Sequence, residues 1–157
     1  MPIPITEKKP IFCEPKPLFM GSDVFSHLPW LAILVAGVAY FALGAIWYSF
    51  LFKNVWIKAT GVNPNDPNMK KGVAQIMLSS LVLMIVTALG IAIFMTKTGV
   101  SSWMTGAKIG LIAGICFATT SVSISYLYEK RPFALYVVNC GYNIVGCVIA
   151  GIILAIW

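Results

Sequence analysis

Four long stretches without a charged residue constrain this chain more than any other feature. The first, residues 28–52, reads LPWLAILVAGVAYFALGAIWYSFLF, twenty-five consecutive uncharged positions. About twenty apolar residues suffice for a helix to cross the hydrocarbon core of a bilayer. Three more runs follow at 72–96, 109–128 and 132–157, the third helix being expected to begin near Ser102. The expected fold is an all-α integral membrane protein, a four-transmembrane-helix bundle with spans at about 28–52, 72–96, 104–128 and 132–157. Only 10% of the residues are charged and the mean hydropathy is +0.88, far from the roughly 25% charge of a soluble domain. No large extramembrane domain fits in 157 residues beside four spans.

The formal net charge of +6 is carried by cations that flank the spans. Gathered on a soluble face, such charge would suggest nucleic acid; placed here it matches anionic headgroups and the positive-inside bias, and no nucleic-acid partner is expected. The connection between spans one and two and the turn between spans three and four hold Lys53, Lys58, Lys70, Lys71, Lys130 and Arg131. Lys97, Lys108 and Lys16 lie near span ends on the other side, with Lys8 and Lys9 farther out. This balance favours both termini on the non-cytoplasmic or non-matrix side. Lys53, Trp56, Lys58, Lys70 and Lys71 are candidate contacts to lipid headgroups, and membrane lipids are expected partners.

Residues 1–27 contain Pro2, Pro4, Pro10, Pro15 and Pro17 and are expected to form an extended tail, because proline fixes φ and restricts its neighbour. The tail lacks the apolar segment of a secretory signal and the Arg-rich, acid-poor character of a transit peptide. Docking on partner subunits is the expectation for it. Pro29 suits a first helical turn. Trp30 and Trp47 are 17 residues apart, roughly 25 Å along a helix, as two members of an aromatic belt would be. Residues 53–61, KNVWIKATG, read as a short interfacial helix stopped by Gly61, followed by a turn at 63–67 in which Asp66-Pro67 would cap the second span. The connection Glu129-Lys130-Arg131 is so short that spans three and four form an antiparallel hairpin.

Two segments carry a family resemblance. Gly44-Ala45-Ile46-Trp47-Tyr48-Ser49, with Phe52 and Trp56, is one; Tyr126-Leu127-Tyr128-Glu129-Lys130-Arg131-Pro132, then Asn139-Cys140-Gly141-Tyr142 and the closing Gly151 to Trp157, is the other. Together they resemble the uncharacterised membrane family known as domain of unknown function 1761 (DUF1761). Its members open with a G-x-x-W-Y-S-P-like span and close with an E-x-R-P turn before an N-x-G-Y span. The resemblance covers roughly residues 28–157. The chain departs from the pattern at Phe50, where proline is usual, and at Lys53, where glycine is common. The resemblance implies the four-span topology and no activity.

Two constellations could carry function. Gly106, Gly110, Gly114 and Ala118 recur every fourth residue, a groove that lets another backbone approach closely, either in a subunit interface or within the bundle. Thr119 and Ser123 belong to a run of hydroxyls. Hairpin geometry sets Ser123 level with Asn139 and Thr119 level with Asn143, so that hydrogen bonds between them would satisfy amides costly to leave bare in hydrocarbon. The same residues could instead line a polar path.

Catalytic machinery is not expected. No Asp or Glu lies inside a span, the lone histidine is His27, and no dinucleotide or P-loop glycine pattern exists. Cys13, Cys116, Cys140 and Cys147 show no C-x-x-C spacing, so neither a disulfide framework nor a metal site is expected, and no cofactor. The expected role is a non-catalytic accessory or structural subunit of a larger membrane complex, with an energy-transducing assembly in a bacterial plasma membrane or mitochondrial inner membrane as the natural setting. It would dock other subunits through the N-terminal tail and the glycine face. The alternative is a small oligomeric transporter or channel with a polar path between spans three and four.

Overall fold

The computed structural model describes residues 23–62, 72–100 and 102–157. Six helices are present among them: α1 (Asp23–Ser26), α2 (Trp30–Leu51), α3 (Lys53–Thr60), α4 (Val73–Thr98), α5 (Trp103–Tyr128) and α6 (Phe133–Ile156). Of these, α2, α4, α5 and α6 are long and apolar enough to cross a membrane. The four-span all-α architecture is therefore as expected, and the described residues contain no strand.

The ends of the helices follow from local chemistry. Pro29 precedes α2, and its carbonyl accepts the Ile33 amide at 3.0 Å, so it caps the helix from outside the first turn. Gly61 closes α3 at φ 68° and Gly99 closes α4 at φ 65°, left-handed positions that glycine adopts without a Cβ penalty. The α5–α6 turn achieves the same stop without glycine. Lys130 takes φ 53°, and the Arg131 amide reaches back to the Tyr126 carbonyl at 3.0 Å while Lys130 bonds Leu127 at 3.3 Å. That is a Schellman ending, and Pro132 follows to start the next helix.

Two expectations need correcting here. Asp23–Ser26 is helical, so the extended tail does not reach residue 27; the prolines end at Pro17, and nothing in 23–26 restrains the backbone. Residues 1–22 and 63–71, including the Asp66-Pro67 cap, lie outside the described residues. Trp47 is no belt residue. It is half-buried and turned into the bundle, and the outward aromatic at that end of α2 is Phe50. Trp30 and Phe50 are twenty residues apart, about 30 Å along the helix, which matches the hydrocarbon thickness.

The helix at the centre is α6. It packs against α2, α3, α4 and α5, and Leu135, Val138, Tyr142, Gly146, Cys147, Ala150, Gly151 and Leu154 are buried on several of its sides. Alanines and aliphatics fill the rest of the core: Ala32, Ile33 and Ala36 of α2 against Ala88, Ile91, Ala92 and Met95 of α4. A Cβ on Gly37 would stand 2.6 Å from Ile85 Cγ1, so α2 and α4 cross there closely. Beyond that crossing α4 leaves the bundle, and every residue from 72 to 79 is exposed.

Candidate functional site: an interlocked tyrosine–asparagine cluster

The site grows from the end of α2. The helix is α-helical to Ile46 and continues as a π turn over Trp47–Leu51, closed by the Phe52 amide on the Trp47 carbonyl at 2.9 Å. Single π turns inside α-helices often mark functional positions, because the wider turn re-aims side chains. Tyr40, Gly44, Trp47 and Tyr48 share one face at ordinary helical spacing (i, i+4, i+7, i+8), up to the start of the π turn, and lie along antiparallel α6.

Each of these residues meets a specific partner. The Tyr40 hydroxyl donates to Asn143 Oδ1 at 2.9 Å and lies 3.9 Å from Cys147 Sγ. Gly44 leaves room for Tyr142, whose hydroxyl would be 3.0 Å from a Cβ there. The Trp47 indole N–H donates to the Val138 carbonyl at 3.0 Å, and its ring passes over Gly141, where a Cβ would sit 3.2 Å from Cζ2. The Tyr48 hydroxyl donates to Asn139 Oδ1 at 2.5 Å.

The amide groups of both asparagines donate as well as accept within the cluster. Asn139 Nδ2 donates to the Tyr126 hydroxyl of α5, and Asn143 Nδ2 donates to the Asn139 carbonyl at 2.8 Å. Tyr142 completes the network by donating to Met84 Sδ of α4 at 3.3 Å, with the Tyr40 carbonyl at 3.4 Å. Ring contacts tie the hydroxyls together: Tyr40–Tyr142 and Tyr48–Tyr142 centroids are both 5.3 Å apart, and Trp56 of α3 stands edge-on to Tyr48 at 6.2 Å. Tyr40 and Tyr142 are buried. In hydrocarbon a bare amide or hydroxyl costs several kcal/mol, so a mutually satisfied set is the stable arrangement.

The segments that meet here are those carrying the W-Y-S and N-x-G-Y patterns. The family description "Protein of unknown function (DUF1761)" matches residues 31–155. The chain belongs to the DUF1761 family. No curated protein and no solved structure matches it.

In this DUF1761 bundle the asparagines do not pair with the hydroxyls that hairpin geometry suggested. Ser123 Oγ lies 3.5 Å from Cys140 Sγ, Cys140 Sγ lies 4.0 Å from the Thr119 carbonyl, and Thr119 Oγ1 is buried without a partner among the described residues. A second π turn in α5, Gly114–Thr119, sets the rotation of the segment 120–128 relative to the glycine face that packs on α6. In that rotation Asn139 meets Tyr126 and Ser123 meets Cys140. Hydroxyls on regular helix, such as Thr87, Thr96 and Thr120, bond back to the carbonyl four residues earlier at 2.7–3.0 Å. Thr119, inside the π turn, has no such bond.

The glycine face is also placed. A Cβ on Gly106 or Gly110 would run into the Gly151 or Cys147 carbonyl, and one on Gly114 would lie 2.8 Å from Ile144 Cα. Ala118 falls within the π turn, half-buried. The groove is therefore occupied by α6 of the same chain, which corrects the expectation that another subunit docks there. Lys53 and Lys58 are exposed on α3 and Trp56 is half-buried, while Lys70 and Lys71 lie outside the described residues. The described residues contain no group of three His, Cys, Asp or Glu side chains that could hold a metal ion.

The sequence reading missed Tyr40, Tyr48 and Tyr126 as partners of the asparagines. A signal was present in the four-residue step from Tyr40 to Gly44 and the further four to Tyr48, one face of a helix.

Proposed function

We propose that this DUF1761 protein is a non-catalytic structural subunit of a larger membrane complex, an energy-transducing assembly of a bacterial plasma membrane or mitochondrial inner membrane being the natural setting. The observation that supports this reading is the amino half of α4. Residues 72–79 are exposed all round, and Gln75 and Ser79, four residues apart on one face, have no hydrogen-bond partner among the described residues. Lipid tails satisfy apolar surface but not an amide or a hydroxyl. A polar helix face from a neighbouring subunit does both, as small and polar residues do between membrane helices. The engaged state of Asn139 and Asn143 speaks against their lining a transport path.

The test is extraction of the tagged native protein in mild detergent, native-gel sizing and identification of co-migrating chains. Stoichiometric recovery in a large complex, lost in Gln75→Leu/Ser79→Leu, is the expected result. Recovery as a small species with lipid alone overturns the reading. Removal of residues 1–22 asks separately whether the tail tethers the subunit, with release from the complex expected.

A further inference from the structure

Among the described residues, the three most exposed large hydrophobic side chains all lie at one end of the bundle. Tyr128, Phe50 and Phe133 are 87%, 82% and 78% exposed, at the end of α5, the end of α2 and the start of α6. Rings in such positions occupy the boundary between acyl chains and headgroups.

Cations share that end. α3 packs against α6 and presents Lys53 and Lys58 outward, and Lys130 is exposed in the α5–α6 turn. Glu129 is the acid among the described residues there, and Arg131 holds it at 2.8 Å. Lys53, Lys58 and Lys130 are left without an acidic partner among the described residues.

We propose that this end is a docking surface for anionic phospholipid, with the rings of Phe50, Tyr128 and Phe133 seated below the headgroups and Lys53, Lys58 and Lys130 holding their phosphates. The interleaving of the two residue types selects the occupant. An acidic protein segment would meet the lysines but leave the three rings uncovered, whereas a phospholipid covers both. Its negative charge complements three cations that no acid among the described residues neutralises.

The opposite end supplies the control. Trp30, Trp103 and Trp157 are exposed there, with Lys97 and Lys108 on the outer faces of α4 and α5.

The experiment reconstitutes the full chain in nanodiscs of mixed phosphatidylglycerol and phosphatidylcholine and measures retained lipid by native mass spectrometry. The wild type is expected to retain phosphatidylglycerol at about fivefold or more over the bulk ratio. The Lys53→Gln/Lys58→Gln/Lys130→Gln variant, with helicity checked by circular dichroism, should fall towards the bulk ratio, and Lys97→Gln/Lys108→Gln should not. Retention at the bulk ratio in the wild type overturns the proposal, and so does an equal loss in both variants. The wild-type ratio needs no substitution, so the proposal stays testable if the triple variant does not fold.

Discussion

The two seams along α6 solve the same problem by opposite means. Against α5 the contact is backbone on backbone: among the residues of α5, Gly106, Gly110 and Gly114 alone are buried, and each lies on a main-chain atom of α6. Against α2 the contact is made by large polar-tipped side chains, Tyr40, Trp47 and Tyr48, reaching Asn143, Val138 and Asn139. The first seam depends on the absence of side chains, the second on hydrogen bonds between particular ones. A membrane helix pair has no hydrophobic effect to draw it together, so close packing and buried hydrogen bonds are the means it has. The comparison teaches that the glycine seam is held by close approach alone. The tyrosine seam adds hydrogen bonds, lost one at a time, to a close approach of its own at Gly146, where a Cβ would run into the Tyr40 ring.

The largest effect expected from breaking this comparison is at Gly110. Gly110→Val places a side chain on the Cys147 carbonyl, where no rotamer relieves the overlap, and should destabilise the fold by about 3 kcal/mol or more. Unfolding in mixed micelles of rising SDS fraction measures it; a loss below that of any single cluster substitution would show that the seam can open cheaply.

The tyrosine seam should give smaller, coupled losses. Asn139→Leu strands the hydroxyls of Tyr48 and Tyr126 and should cost about 2 kcal/mol, while Tyr48→Phe should cost about 1 kcal/mol. In a double-mutant cycle the coupling should fall in the range of about 0.6–1.7 kcal/mol seen for interhelical hydrogen bonds in membranes. Strict additivity would mean that the two side chains do not interact.

The smallest effect has the opposite sign. Thr119→Val removes a buried hydroxyl that has no partner among the described residues and keeps its shape, so the protein should gain up to about 1 kcal/mol. A clear loss in the same unfolding assay would show that Thr119 Oγ1 finds a partner in the membrane.

Much of the candidate site was legible, but not its pairing. The 106/110/114 spacing marked a face for close approach before any coordinates, because a missing Cβ has the same consequence wherever the helix goes. The asparagines were also marked as needing partners, since an amide in hydrocarbon must be satisfied. Which hydroxyls serve them was misread. Counting outward from the Glu129–Arg131 turn gives depth but not rotation about the helix axis, and the π turn at Gly114–Thr119 turns the segment 120–128 relative to the glycine face. No residue type specifies a π turn strongly enough to be read from one sequence. Trp47 was misplaced for a related reason: spacing alone could not tell a ring facing lipid from one facing α6 across Gly141.

What the sequence alone determined is the count of spans, their ends and the hairpin of α5 and α6. Each of these follows from costs local to a residue: a charge in hydrocarbon, a glycine at positive φ, a proline that ends one element and starts the next. The tertiary structure alone decided that α6 is the centre, that α6 itself fills the glycine groove, and that tyrosines of α2 take the asparagines. Those outcomes depend on how each helix is rotated about its axis. A single π turn changes that rotation without altering the hydrophobicity from which the spans are read.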